Sequence, residues 1–210
     1  MGYGRRLLRY LTDELRRNKL LYLLLLFILM TGFVFGLAAP VSMQPESAAQ
    51  CRAYVGDFLT LLPDLEVDLR SEFLRALRLN GALFAVILLS GLHPLAIPFA
   101  AAALFYKAFT LGFAASFLLA YQAGTGFWII FCAMLPQNLL LLPFLLWLGG
   151  EAFSNALLLR RRRAAFACDT KRQLQHYGLI GLGAAAAVFF SSLLQGYFTP
   201  FLLEAFYLLL

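Results

Sequence analysis

Long apolar runs, each closed off by a charged or proline-bearing stretch, set the plan of this chain. Five of them read as membrane-crossing helices, at about residues 20–39, 80–95, 97–121, 127–148 and 177–198, because a bilayer needs roughly 20 apolar residues at 1.5 Å of rise each. Between the first two lies the one long polar stretch, residues 40–79. There Leu65, Leu69, Phe73 and Leu77 recur every fourth position while Glu66, Arg70, Glu72 and Arg75 face away, the pattern of an amphipathic helix. Such a helix lies on the outer leaflet, faces a partner or caps the mouth of its own bundle. The partner-facing candidates are Asp64, Glu66, Asp68, Arg70, Glu72 and Arg75. Thr199-Pro200 offers a cap and first-turn proline for a last apolar helix, residues 201–210, too short to cross. The expected fold is all-α: a polytopic membrane helical bundle with five transmembrane helices and external amphipathic helices, forming a single membrane domain over residues 1–210.

Prolines punctuate these runs. Pro94 and Pro98, beside His93, predict a tight turn between the second and third spans, since a proline disfavours helix in the residue before it. His93 is read as a capping or surface residue. The fourth span holds M-L-P-Q-N-L-L-L-L-P at residues 134–143. Pro136 and Pro143 are expected to break the helix, freeing the carbonyls of Cys132 and Leu139, and the amides of Gln137 and Asn138 need partners that lipid does not supply. Lys107 lies in the third span, roughly 15 Å from its start at 1.5 Å per residue. Depth counting places it near Gln137 and Asn138, so these three residues are expected to meet as an intramembrane polar latch that fixes helix register. The other open reading is a site for an ion, a substrate or a conformational switch. No acid falls inside any of the five expected spans, which favours the latch, because no carboxylate is present to carry a proton or hold a cation. Small residues mark close-packing faces at Ala108, Gly112 and Ser116 and at Gly178, Gly181 and Gly183.

Charge orients the bundle. Arg5, Arg6, Arg9, Arg16, Arg17 and Lys19 precede the first span, and Arg160, Arg161, Arg162 and Arg163 sit in a basic loop, residues 149–176. Five spans put both blocks on one side, the cytoplasm by the positive-inside rule, with the N-terminus cytoplasmic and the C-terminus external. The acid-rich segment 40–79 then falls outside, whereas a four-span arrangement would expose one arginine block. The arginines at 160–163 are read as a cytoplasmic positive-inside anchor, in preference to a specific lipid-headgroup or protein site. A cleaved signal peptide is the competing reading of the first run, which is too long for one.

Composition agrees: 62% of residues are hydrophobic and only 13% charged. The net charge of +6 therefore signals topology rather than nucleic-acid binding. Cys51, Cys132 and Cys168 show no C-x-x-C spacing, so neither a metal site, a cofactor nor a disulfide framework is indicated. Motifs for nucleophilic, zinc-dependent or phosphate chemistry are missing from the sequence. The external acids Asp57, Asp64, Glu66, Asp68 and Glu72 alternate with arginines like a solvated face, and the chain is read as non-enzymatic.

Three segments carry a resemblance: F-Y-K-A-F-T-L-G-F at 105–113, L-P-Q-N-L-L-L-L-P at 135–143 and G-Y-F-T-P-F-L at 196–202. Together with the basic lead and the external helical segment, they resemble stage II sporulation protein M over essentially the whole chain. Lys107, Pro136, Gln137, Asn138, Pro143 and Pro200 coincide with the family pattern. The resemblance implies a non-enzymatic, five-span protein of the bacterial cell membrane, at the septal or engulfing membrane during sporulation. Its implied partners are a lytic transglycosylase (stage II sporulation protein D) and an amidase/endopeptidase (stage II sporulation protein P), which it would anchor while they remodel septal peptidoglycan during engulfment. The wider family also has members in bacteria that do not sporulate, and the oligomeric state is not legible in the sequence.

Overall fold

Residues 18–61, 68–121, 123–165 and 170–207 are described in a computed structural model. They are helical with short turns and contain no strand. Helix α1 (Lys19–Ala38) runs into a tight turn at Ala39–Ser42, and α2 (Pro45–Leu61) follows. Helix α3 (Leu69–Ser90) is joined through a turn at Pro94–Ala96 to α4 (Ile97–Tyr121). Helix α5 (Ala123–Ile129), a wide π turn (Ile130–Met134) and α6 (Leu135–Ala165) form one long rod. The chain returns through α7 (Thr170–Leu193), a second π turn (Leu194–Phe198) and α8 (Thr199–Tyr207).

Five helical stretches are long and apolar enough to cross a membrane: Lys19–Ser42, Leu69–Ser90, Pro94–Ala120, Gly126–Arg160 and Gln173–Leu203. The five-span architecture therefore stands. Leu20, Leu23, Leu24, Phe27 and Leu139 are exposed, as expected when lipid replaces water around a bundle. The core is a column of Leu25, Ile87, Leu104, Leu141, Leu145, Leu148, Ile180 and Val188, drawn from α1, α3, α4, α6 and α7.

Helices α1 and α4 run parallel and approach through glycine. A β-carbon on Gly32 would lie 2.5 Å from the Phe105 carbonyl oxygen, and one on Gly36 or Gly112 would collide with the carbonyl oxygen of Phe109 or Phe33. This contact uses Gly112 from the small-residue face expected on the third span, with glycine supplying the close approach.

Several boundaries differ from expectation for a common reason: helices continue beyond the apolar runs. Residues 68–79, expected within an external loop, are largely the first turns of α3. Asp68 caps that helix, its carboxylate accepting from the Arg70 amide at 3.1 Å, and Glu72 pairs with Arg75 at 3.3 Å. Nothing between these charged turns and the apolar run interrupts the helix, so Arg70, Glu72 and Arg75 belong to the mouth of a span rather than to a separate amphipathic helix. The separate helix within the polar stretch is α2. Asp64 and Glu66 lie outside the described residues.

Residues 149–176, expected as a basic loop, are helical except for 166–169, which lie outside the described residues. The fourth span was expected to stop at residue 148, yet Gly149 and Gly150 continue the helix and serve packing. The Tyr22 ring lies where a Gly150 β-carbon would be, at 2.5 Å, and Leu104 faces Gly149 at 3.1 Å. Arg160 is exposed, and Arg161, Arg162 and Arg163 occupy the last turns of α6.

Of the four prolines expected to break helices, Pro94 and Pro98 flank the turn as predicted: Pro94 opens the tight turn and Pro98 sits in the first turn of α4. His93 caps that turn, its Nδ1 accepting from the Leu95 amide at 3.3 Å. Pro143 does not break its helix, because α6 runs through it. Such tolerance is usual where a span's neighbours absorb the disturbed backbone.

Candidate functional site

Polar side chains inside the bundle make ties at three depths. Nearest the end that carries Lys19 and Arg160, α6 and α7 are joined to the α3–α4 turn. Asn155 donates from Nδ2 to the Gly91 carbonyl at 2.9 Å, and Gln173 Nε2 donates to Asn155 Oδ1 at 2.8 Å. The Tyr177 hydroxyl donates to the Leu88 carbonyl at 2.7 Å. Asn18 Nδ2 reaches Ser154 Oγ at 3.4 Å, bringing in α1. Glu151 is buried in the same region. Sequence reasoning missed this network because it placed Glu151, Ser154, Asn155 and Gln173 in a loop. The signal was present: the buried stripe Leu141, Leu145, Leu148, Ala152 continues at helical spacing to Asn155 and Ala156.

The second tie is Lys107 to Asn80. Lys107 Nζ donates to Asn80 Oδ1 at 3.2 Å. Hairpin geometry sets this pair, since Asn80 precedes the end of α3 at Ser90 by as many residues as Lys107 follows the start of α4 at Ile97. Both therefore lie about 15 Å from the turn. A charged lysine at such depth costs roughly 2.5–3.5 kcal/mol on insertion scales. The half-buried Lys107 offsets this with one neutral acceptor, while the Asn80 amide Nδ2, in a residue only 3% exposed, has no partner.

The third tie lies nearer the opposite end, in the opening stretch of α6. The Gln137 Oε1 accepts from the Thr199 hydroxyl at 2.9 Å, and the Gln137 carbonyl accepts from the Ser191 hydroxyl at 3.0 Å. Asn138 Nδ2 donates to the Met134 carbonyl at 2.7 Å, leaving its buried Oδ1 without a partner. Asn138 also lines an apolar groove of about 440 Å³ with Leu26, Leu29, Leu142 and Pro143. Each π turn ends two residues before a proline, at Met134 before Pro136 and at Phe198 before Pro200. A proline ring clashes with the carbonyl four residues back, and a turn widened by one residue relieves that crowding. The Gln137–Thr199 bond thus links the residues that follow the two widened turns.

No hydrogen bond joins Lys107 to Gln137 or Asn138, so the single latch expected from the sequence is replaced by two separate ties. The reason is register. Leu104 packs against Gly149, which leaves Lys107 about 13.5 Å from the depth of Gln137 along the helix axes at 1.5 Å per residue. Depth counting had assumed a fourth span ending near residue 148, whereas this one runs on to Arg160. Among the described residues no cluster of His, Cys, Asp or Glu has the arrangement of a metal site. The three described grooves are lined mainly by apolar side chains and include neither Lys107 nor Asn80.

Helix order, the two proline-linked π turns and the position of Lys107 all fall within one stretch that can be compared with known proteins. A profile of stage II sporulation protein M matches residues 23–200. The chain belongs to the stage II sporulation protein M family. The match takes in all five spans almost completely and every polar tie except the one through Asn18. No match was found among curated proteins or among solved structures. As a stage II sporulation protein M family member with five membrane-capable helices, it is an integral membrane protein of a sporulation family.

Proposed function

We propose that the protein is a non-enzymatic membrane scaffold that anchors and positions a peptidoglycan-hydrolase complex remodelling septal wall during engulfment. The carrying observation is how the polar side chains inside the spans are used. Lys107, Gln137 and Ser191 bond across helices, and Asn155, Gln173 and Tyr177 do the same at the basic end. Groups spent in this way hold helices in register, and a rigid bundle suits an anchor. The reading as an ion or substrate site draws less support, since the described grooves are lined mainly by apolar side chains, with Asn138 at one of them.

The resemblance supplies the partners of this reading, a lytic transglycosylase and an amidase/endopeptidase acting on the outer side. Positive-inside orientation puts Lys19, Arg160 and Lys171 in the cytoplasm. Helix α2 and the charged start of α3 then face the wall, at the septal or engulfing membrane. Affinity recovery of the intact protein from sporulating cells, with partners identified by mass spectrometry, tests it. Both hydrolases are expected in the recovered complex; recovery of neither overturns the reading.

A further inference from the structure

We propose that Lys107 and Asn80 together form a docking point for a carboxylate carried inside the membrane by the transmembrane helix of a partner protein. An ammonium has three donors, and Lys107 uses one, on Asn80 Oδ1 at 3.2 Å. Asn80 adds a second kind of donor: its Nδ2 is buried without a partner in a residue 3% exposed. The bond between them puts a charged spare donor on Lys107 next to a residue with a neutral one. A carboxylate accepts charge-assisted hydrogen bonds from an ammonium and has a second oxygen for the Asn80 amide.

Among the described residues no carboxylate lies beside this donor pair. Acidic side chains on the described spans lie at the charged start of α3, at Asp68 and Glu72, and at Glu151 beside the basic end, all remote in depth from Lys107. The donor pair lies about 15 Å from the α3–α4 turn, beyond the reach of a lipid headgroup. Lys107 keeps partial exposure, and its neighbours Tyr106 and Leu79 are 59% and 59% exposed. Lys107 is therefore the group met from the lipid side, with the buried Asn80 behind it, and a membrane-embedded helix bearing one Asp or Glu near its middle is the occupant whose charge fits. This rests on the scaffold reading only in requiring a membrane partner, and its test does not use the wall hydrolases.

The test measures energy transfer in phosphatidylcholine liposomes between the labelled full-length protein and a single-span polyleucine peptide with one central Glu. Peptides with central Leu or Gln serve as references. The Glu peptide is expected to associate about tenfold more tightly than the Leu peptide. Lys107→Met should remove that advantage, and Lys107→Arg should keep most of it. Asn80→Asp places a carboxylate beside Lys107 within the chain, so this variant should stay folded by circular dichroism yet lose the advantage. Equal association of the Glu and Leu peptides with the wild-type protein overturns the proposal. Persistence of the Glu advantage in folded Asn80→Asp and Lys107→Met protein does so too, and displacement of the Glu peptide by excess acetate would assign the site to a soluble anion instead.

Discussion

Adding one methyl group to Gly36 or Gly112 should loosen the bundle more than the same change at glycines elsewhere on its helices. A β-carbon at Gly36 collides with the Phe109 carbonyl oxygen and lies 2.8 Å from the Phe113 amide nitrogen; one at Gly112 collides with the Phe33 carbonyl and lies 3.0 Å from the Leu37 amide nitrogen. These are backbone atoms of a facing helix and cannot turn aside as a side chain would. Van der Waals contact needs about 3.5 Å, so α1 and α4 must separate by roughly 1 Å. Overpacking of this kind costs typically about 1–3 kcal/mol. Gly178 and Gly183 are the controls, because nothing lies within 4 Å of a β-carbon there. Alanine at these positions should be neutral or slightly stabilising, by up to about 1 kcal/mol, through helix propensity. Unfolding of purified protein in bicelles by increasing SDS, followed by circular dichroism, measures the difference. Gly36→Ala and Gly112→Ala should unfold earlier, and the double variant should lose less than the sum, since one separation of the helices relieves both clashes. Unfolding of Gly36→Ala and Gly112→Ala at the same SDS fraction as Gly183→Ala would refute the close-packed seam.

In the same assay, a double-mutant cycle of Gln137→Leu and Thr199→Val should give a coupling of about 0.6–1.7 kcal/mol; zero coupling would mean that the 2.9 Å bond does not hold the two spans. Asn155→Leu strands the Gly91 carbonyl and the Gln173 amide and should lose about 1–3 kcal/mol, an expectation that wild-type stability of this variant would defeat. For the orientation, a variant retaining Cys51 as its sole cysteine should react with a membrane-impermeant maleimide in intact cells. A cysteine-free background carrying Arg160→Cys should react only after permeabilisation, and the opposite pattern would invert the topology.

The number of spans and the proline turn at 94–98 were legible because lipid acts on them directly: an apolar run must be long enough, and proline shapes the backbone locally. Helix ends were not legible in the same way. Once a helix leaves the hydrocarbon, its residues can be charged without penalty, so the first turns of α3 and the last of α6 carry no hydropathy signal. That blind spot propagated to the site. With the fourth span ended at residue 148, Lys107 and Gln137 appeared level; with α6 extended to Ala165, they are about two and a half turns apart. Asn80, the observed partner of Lys107, had been taken as the edge of a span. Its symmetry with Lys107 about the 91–96 turn was already in the sequence, but it becomes visible only after α3 is known to begin at Leu69. The π turns left a fainter trace, the two X-Pro steps at 135–136 and 199–200.

The three ties are unequal, and the inequality bears on where a partner can act. The α6–α7 hairpin is fastened near both ends, by Asn155 with Gln173 and by Gln137 with Thr199 and Ser191. Closing either π turn would rotate the residues beyond it by about 100°, one residue's worth of helix, and would pull Gln137 away from Thr199. Each widened turn is therefore held open by the other, and this half of the molecule is rigid by construction. Between α3 and α4, by contrast, the deep polar contact is the Lys107–Asn80 bond, which leaves donors unused on both residues. A hairpin fastened near both ends thus stands beside one held by a single deep polar contact, so a further contact at Lys107 can form on the second without disturbing the ties of the first.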